Sequence, residues 1–449
     1  MTVRDTIAAV ATAPGIGGIG IVRVSGPNTT RIATGLIGRL PAPRNATVAA
    51  FRDADGDPID SGIALYFAAP GSFTGEDVLE LQGHGGPVVL DLVLQRVLDL
   101  GARLARPGEF SERAFLEDKL DLAQAEAIAD LIESGTAAQA RLASRTLRGV
   151  FSERIHALLE SLIRLRAFVE AALDFPEEEI DFLADSNIQT DLTRLLEQTD
   201  SVLRAARRGE RVRDGLLIVL AGAPNVGKSS LLNALAGTDA AIVTPIPGTT
   251  RDLLRADIQL DGLPLRVVDT AGLRISTDPI EREGVRRARE QIDQADRVLW
   301  VVDDAADPET VALEPHLLPA GLALTLVRNK IDLSGRRPAL NEHTGGLVEL
   351  ACSVQTGEGL GLLREHLKAC AGYIGPVGGE FSARRRHLEA LQRAQGYLNA
   401  AQAVFTDTGS AELMAEDLRL AQQALGEITG AFSSDDLLGK IFGEFCIGK

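Results

Sequence analysis

A glycine-rich segment near the middle of the chain has the residue types and spacing of a phosphate-binding loop. An apolar run at residues 219–221 precedes Gly222, and Gly227, Lys228 and Ser229 follow after four residues. Glycines let backbone N–H groups turn toward an anion, and a helix that begins there adds its partial positive charge. The lysine can reach β- and γ-phosphates, and the serine hydroxyl can bind Mg²⁺. The pattern predicts a nucleoside triphosphate site, although by itself it also fits a simple turn before a helix.

Two segments that follow this loop offer groups for the γ-phosphate and for Mg²⁺. Thr250 supplies a hydroxyl that can reach both, Asp269 suits a water-mediated Mg²⁺ contact, and the Gly272 N–H suits the γ-phosphate. In small signalling GTPases the next residue is a glutamine that orients the attacking water. Here it is Leu273, whose apolar side chain cannot orient water. Another group on the following segment must therefore do so, and the candidates are Arg274, Asp278, Glu281 and Glu283.

Two segments nearer the C-terminus have the residues to recognise guanine. Asp332, in residues 329–332, can accept hydrogen bonds from guanine N1 and N2, and adenine lacks these donors. ATP would leave the carboxylate unpaired, so such a site rejects it. Ser353 follows the last predicted strand and fits a backbone contact to guanine O6. Five such segments in this order, each at the end of a strand, predict a GTPase.

Asn225, within the phosphate loop, is a candidate ligand for a monovalent cation. Its amide oxygen and the carbonyls of residues 244–250 could hold a cation against the phosphates, which would supply positive charge without an arginine finger. The alternative is an ordinary turn residue.

The elements that must position these groups divide the chain into four predicted parts. The length of 449 residues predicts two to four domains. Residues 1–118 mix short β-rich runs with turns, which indicates an α/β domain, and residues 119–214 have helical periodicity. Residues 215–372 alternate strands with helices, which is typical of a doubly wound domain, and residues 373–449 are helical again. The strands predicted in this domain are residues 216–220, 265–268, 297–302, 322–327 and 347–351. The simplest packing is a long-helix bundle with the Ras-like G domain inserted in it.

Composition and charge exclude several classes of protein. The net charge of −17 argues against a non-specific nucleic-acid binder, which needs a basic surface. The three cysteines are too widely spaced for a disulfide framework or a zinc site, which fits a reducing cytosol. No run approaches the ~20 apolar residues of a membrane span. We therefore expect a cytoplasmic protein.

Six further segments of the sequence are distinctive, namely residues 5–7, 17–23, 72–86, 107–115, 119–126 and 445–449. With the nucleotide segments, they resemble the MnmE (TrmE) family of tRNA-modification GTPases, and the resemblance covers essentially the whole chain. The resemblance implies an N-terminal domain that binds 5-formyl- or methylene-tetrahydrofolate and forms a homodimer. It also implies GTP hydrolysis that K⁺ stimulates when two G domains meet. With the FAD- and NADH-dependent partner MnmG, in a heterotetramer, such a protein adds a carboxymethylaminomethyl group to C5 of the wobble uridine of certain tRNAs.

The resemblance also implies roles for particular residues. It assigns water positioning to Glu281, K⁺ binding to Asn225, Thr244, Ile246 and Thr249, Mg²⁺ binding to Ser229 and Thr250, and folate contacts to Arg23, Glu80, Lys119 and Lys449. With Glu281, the predicted catalytic residues are Lys228, Thr250 and Gly272. The predicted nucleotide-binding residues are Asn225, Val226, Gly227, Lys228, Ser229, Ser230, Thr244, Pro245, Ile246, Pro247, Gly248, Thr249, Thr250, Asp269, Thr270, Ala271, Gly272, Asn329, Lys330, Asp332 and Ser353.

Two residues near the predicted folate site have open roles, and the function has alternatives. The Cys446 thiol suggests covalent or acid–base chemistry, with a small buried hydrophobe as the alternative. His84 could relay protons, although a turn residue is the simpler reading. A ribosome-assembly or signalling GTPase shares the G-domain segments, but it has no need of residues 1–119 or of the C-terminal tail. A folate enzyme with a vestigial G domain is disfavoured because every nucleotide segment is intact.

Overall fold

The computed structural model describes residues 5–174, 186–236, 255–269, 295–306, 323–343, 347–371, 379–431 and 435–443, with Phe445 and Gly448. The chain forms two compact units. The first contains Met1–Ala129, Ile155–Phe168 and Ala415–Lys449, and the second contains Asp130–Arg154 and Val169–Met414.

Strands and helices are numbered here in chain order over the described residues. The strands are β1 Ile7–Val10, β2 Gly17–Ser25, β3 Thr47–Arg52, β4 Pro58–Phe67, β5 Val78–Gly85, β6 Arg103–Leu104, β7 Leu216–Ala221, β8 Arg255–Leu260, β9 Leu263–Asp269, β10 Arg297–Asp303, β11 Leu324–Asn329, β12 Ala339–Glu342 and β13 Val348–Ala351. The helices are α1 Thr29–Ile37, α2 Pro87–Asp99, α3 Glu109–Leu116, α4 Leu122–Glu133, α5 Ala137–Leu147, α6 Val150–Asp174, α7 Ser186–Asp214, α8 Lys228–Ala236, α9 Ile331–Ser334, α10 Leu360–Cys370, α11 Arg385–Asp407, α12 Ala411–Thr429 and α13 Asp435–Gly443.

The first unit is built on a six-stranded sheet in the order β3-β4-β5-β2-β1-β6. Its strands pair antiparallel except for β1 with β6. Val22 and Val24 pack in one core with Ile32 of α1 and Val93 of α2. Successive side chains of a strand point to opposite faces, so Arg23 lies on the other face of the sheet, which α3 covers through Phe110.

Helix α13 packs against α4 through a small apolar cluster of Leu122, Ala125, Ile441, Phe442 and Phe445. Gly108, which precedes α3, has φ +66°, and a Cβ there would lie 2.5 Å from the Phe442 carbonyl oxygen. Only glycine fits so close a backbone approach. This packing holds the C-terminal segment against the start of α3.

The second unit contains a seven-stranded sheet in the order β12-β13-β11-β10-β7-β9-β8. The five central strands are parallel, and β8 and β12 pair antiparallel at the two edges. The central five are the strands predicted near residues 216, 265, 297, 322 and 347, and each is largely apolar. The two edge strands were not predicted. The sequence of β12, Ala-Leu-Asn-Glu, lacks an apolar run because much of that strand is exposed.

Helices on both sides of the G domain in sequence pack with one another. Phe151 of α6 stacks on Phe381 with ring centroids 4.5 Å apart, and its ring also meets His387 of α11. Asp130 accepts hydrogen bonds from Arg213, at the end of α7, at 2.9 Å and from Arg384 at 2.7 Å. The predicted fold class, an N-terminal α/β domain, long helices and a doubly wound G domain inserted in sequence among those helices, is confirmed. The boundaries predicted at residues 118, 214 and 372 stay predictions.

None of the helices in the described part of the chain combines the length and the apolar character that a bilayer crossing requires.

Candidate functional site: a nucleotide pocket and an N-terminal polar pair

The phosphate loop connects β7 to α8 and lies tightly against its neighbours. Gly222 has φ +135°, and a Cβ there would meet the Val301 carbonyl oxygen at 2.2 Å. Gly227 has φ +100°, and its Cβ would meet Asn329 Nδ2 at 2.3 Å. Both positions therefore require glycine for conformation and for space. The loop packs on β10 on one side and on the end of β11 on the other.

Lys228, the first residue of α8, holds its ammonium group over the loop. Its Nζ donates hydrogen bonds to the carbonyl oxygens of Gly222 at 2.8 Å and Ala223 at 2.9 Å. The residue is only 8% exposed. An ammonium has three donors, so one remains for a phosphate oxygen. Ser229 follows on the same helix start, where a hydroxyl is a suitable oxygen ligand for Mg²⁺.

Asn329 ties the phosphate loop to the segment that carries Ser353. Its side-chain Nδ2 donates to the Val226 carbonyl at 2.8 Å, and its Oδ1 accepts from the Val354 N–H at 3.1 Å. The side chain is buried. Both ends of one amide are thus satisfied across two loops, which explains the need for asparagine at this position. The sequence predicted contact with the nucleotide but not this bridging role.

Lys330 is held between the phosphate loop and β10. Its Nζ donates to the Asn225 carbonyl at 2.9 Å and to Asp303 Oδ2 at 2.6 Å. The hydrogen bond from Lys330 lowers the pKa of the Asp303 carboxyl. Asn225 and Lys330 both have positive φ, +65° and +66°. Asp303 was missed by the sequence, because its only signal was an acidic residue at a strand end.

Asp332 and Ser353 meet at the expected guanine-binding edge. The Ser353 hydroxyl donates to Asp332 Oδ1 at 2.5 Å and accepts from the Thr356 N–H at 3.1 Å. The Ser353 N–H donates to the Glu358 carbonyl at 2.9 Å. Asp332 is exposed while Ser353 is fully buried. The hydroxyl therefore orients one carboxylate oxygen and leaves the other side of Asp332 facing outward. The predicted backbone contact from Ser353 to guanine O6 stays a proposal.

In the N-terminal domain, Arg23 and Glu80 are directly paired across β2 and β5. Arg23 Nε donates to Glu80 Oε1 at 3.0 Å, and the guanidinium lies over the rings of Phe73 and Phe110. Lys119 is exposed, and its Cε would lie 3.2 Å from a Cβ at Gly75, two residues beyond Phe73. Three of the four predicted folate residues, Arg23, Glu80 and Lys119, thus lie near residues 73–75, and the fourth, Lys449, lies outside the described residues.

His84 lies on the same strand as Glu80 and is largely exposed. Its Nδ1 is 2.7 Å from Asp60 Oδ1, and its N–H donates to Asp60 Oδ2 at 2.8 Å. The backbone and ring contacts together hold the end of β5 against β4. Asp60 was not predicted from the sequence.

Many predicted residues lie outside the described part of the chain. They are Thr244, Pro245, Ile246, Pro247, Gly248, Thr249, Thr250, Thr270, Ala271, Gly272, Arg274, Asp278, Glu281, Glu283, Cys446 and Lys449. For Asp269 the structure describes the backbone, at the end of β9.

Comparisons with known proteins identify the family. A model described as "GTP-binding protein TrmE N-terminus" matches residues 6–119, and one described as "MnmE helical domain" matches residues 122–446. The second alone covers more than half of the chain. The chain belongs to the MnmE (TrmE) family. The predicted family and the predicted enzyme class, a GTP hydrolase, are confirmed.

Relatives match this chain over nearly its whole length. A "tRNA modification GTPase MnmE" of Stutzerimonas stutzeri (strain A1501) is 61% identical, and the match covers 99% of both chains. The protein of the same name from Pseudomonas entomophila (strain L48) is 59% identical over 100% of both chains. Among solved structures, the G domain of the T. maritima FeoB iron transporter is 27% identical and covers 35% of this chain and 98% of its own. Its TM-score of 0.28 is too low to bear on the fold.

Proposed function

We propose that this chain is the GTP-hydrolysing subunit of a tRNA-modifying complex. With a flavoprotein partner of the MnmG type, it would add a carboxymethylaminomethyl group to C5 of the wobble uridine of certain tRNAs. The one-carbon donor would be 5-formyl- or methylene-tetrahydrofolate. The net charge of −17 favours a partner that supplies much of the RNA-binding surface. The chain would act in the cytoplasm as a homodimer within a heterotetramer.

The observation that supports the proposal is that one chain contains both the contacts of the proposed guanine-nucleotide site and a separate polar pair in the N-terminal domain. Lys228 and Asn329 organise the phosphate loop, and Asp332 faces outward beside Ser353. Arg23 and Glu80 lie in a different sheet. A switch GTPase needs only the first site, so the second favours chemistry on a further substrate.

Cations complete the proposed GTPase site. Ser229 and Thr250 would bind Mg²⁺, which neutralises charge on the β- and γ-phosphates. Asn225, Thr244, Ile246 and Thr249 would bind K⁺, the second and third of these four residues through backbone carbonyls. Glu281 would orient the attacking water in place of the glutamine that Leu273 replaces. Together with Lys228, Thr250 and Gly272 it forms the proposed catalytic set.

The tRNA role is tested by mass spectrometry of tRNA nucleosides from cells that lack this protein. We expect the C5 group to be missing from wobble uridines, which would appear as unmodified or 2-thio-only uridine. Re-expression of the wild-type chain should restore the modification. A normal modification profile together with accumulated ribosome precursors would instead support the alternative, a ribosome-assembly GTPase.

Removing the Arg23 side chain should weaken binding of 5-formyl-tetrahydrofolate by about 10- to 100-fold. A charge-assisted hydrogen bond contributes roughly 1.5–3 kcal/mol, and Arg23→Ala also leaves Glu80 without its ion-pair partner. Titration calorimetry of the full chain measures the change. Arg31→Ala is the matched control and should bind 5-formyl-tetrahydrofolate normally. Arg31 is an exposed residue of α1, the helix that packs on the opposite face of the sheet. No heat with the wild type would remove the folate site from the proposal.

A further inference from the structure

A buried ion cluster lies behind the proposed guanine-binding segment and is centred on Asp304. This residue follows β10 and is fully buried. Its Oδ2 accepts from the Ser334 hydroxyl at 2.5 Å and from Arg336 Nε at 2.9 Å. Its Oδ1 lies 3.0 Å from the same Arg336 Nε and 3.4 Å from Arg328 NH1. One carboxylate therefore receives hydrogen bonds from three side chains.

Those three side chains bracket the segment that would read the base. Arg328 directly precedes Asn329, while Ser334 and Arg336 follow Asp332 by two and four residues. The Asp304 backbone N–H also donates to the Asn329 carbonyl at 2.9 Å. Asp304, at the end of the neighbouring strand β10, thus contacts residues on both sides of the segment 329–332 and the first residue of that segment.

The segment needs such support because it is short and conformationally unusual. Asp332 lies in α9, which has only four residues. One helical turn has little stability of its own. It is bounded by Lys330 at φ +66° and Gly335 at φ +76°, both left-handed. The direction of the Asp332 carboxylate therefore depends on contacts from outside the turn. Asp304 supplies one of them, because it accepts a hydrogen bond from Ser334, the last residue of α9.

The charge state of Asp304 is consistent with this support. Burial by itself raises the pKa of the carboxyl, but hydrogen bonds from Ser334 and Arg336 and the nearby guanidinium groups lower it overall. Arg328 is also buried and donates through Nε to Glu349 Oε1 at 3.0 Å. Buried charges that are paired in this way are costly to disrupt singly, so the cluster resists rearrangement.

We propose that Asp304 is a positioning residue for base selection, which fixes the α9 turn so that Asp332 can accept both N1 and N2 donors of guanine. The inference rests on the proposed guanine site at Asp332. Asp304 itself does not touch the nucleotide in this proposal. It acts through Ser334 and Arg336. Its removal should weaken the hydrogen bond from the guanine N2 amino group to Asp332 more than it weakens the phosphate contacts.

The test compares GDP with IDP, because inosine lacks the N2 amino group but keeps N1. Affinities of the full-length wild type and of Asp304→Asn are measured by titration calorimetry with Mg²⁺ present. We expect the wild type to prefer GDP. Asp304→Asn should bind GDP about tenfold more weakly, with a smaller change for IDP, so that the GDP:IDP ratio falls toward one. The asparagine has nearly the same volume, which guards against a variant that fails to fold.

Glu349→Gln is the matched control, because it removes the other carboxylate that pairs with Arg328 and keeps the Asp304 carboxylate that Ser334 and Arg336 contact. Its GDP:IDP ratio should equal that of the wild type. A second check compares the double variant Asp304→Asn/Asp332→Ala with Asp332→Ala alone. If Asp304 acts through Asp332, the two variants should have the same GDP:IDP ratio. A lower thermal midpoint for Asp304→Asn with an unchanged ratio would show a purely structural role and overturn the inference. A wild type with no preference for GDP would instead contradict the guanine site itself.

Discussion

Changing Asp332 to asparagine should reverse the base preference of the nucleotide site and weaken GDP binding by on the order of 10⁴-fold. The carboxylate accepts two hydrogen bonds from guanine in the proposed complex, and an amide would turn a donor toward the same edge. Xanthine has an acceptor where guanine carries its 2-amino group, so xanthosine diphosphate should gain affinity as GDP loses it. Competition against a fluorescent guanine nucleotide measures both changes in the full chain.

Asp261→Asn provides the control for this substitution. It makes the same change to an exposed aspartate in the turn between β8 and β9, where the carboxylate pairs with Lys368. It should leave both nucleotides unaffected. If Asp332→Asn lost affinity for GDP without gaining affinity for xanthosine diphosphate, the carboxylate would not be the group that recognises the base. Its role would then be structural, through its contact with the Ser353 hydroxyl.

Replacing Asn225 with glycine should abolish stimulation of GTP hydrolysis by K⁺, a loss of about 10²- to 10³-fold in rate. Glycine is the informative choice, because Asn225 has φ +65° and glycine adopts that conformation freely whereas alanine would be strained. The backbone carbonyl that accepts from Lys330 is retained. Only the amide oxygen proposed as the K⁺ ligand is lost, so GDP affinity should change little.

The measurement is steady-state GTP turnover in KCl and in NaCl at equal ionic strength. We expect the wild type to be faster in KCl and Asn225→Gly to be equally slow in both salts. Asp261→Gly, which replaces another non-glycine residue of positive φ in the same domain, should behave as the wild type. Equal rates for the wild type would argue against the cation site. If Asn225→Gly were still stimulated by K⁺, the K⁺ ligand would have to be a residue other than Asn225.

The most predictable part of this protein is the set of strands that lead into the proposed nucleotide segments. The strand before Gly222, and the strands that end at Asp269 and Asn329, were predicted within a few residues because each is an apolar run that leads directly into such a segment of the sequence. The edge strands β8 and β12 could not be predicted in the same way, because an edge strand is stabilised by pairing with its neighbour rather than by a buried apolar run.

By itself, the sequence determined the family, the succession of central strands and nucleotide segments along the chain, and the residue types at the phosphate loop, because glycine, lysine and serine at that spacing satisfy local backbone and charge requirements. Only the tertiary structure decided which side chains contact one another. Asn329 bridges two loops, Lys330 pairs with Asp303, Arg23 pairs with Glu80, and Asp304 gathers Ser334 and Arg336. These partnerships join residues that are distant in sequence, and they follow from strand order and register, which no local pattern encodes.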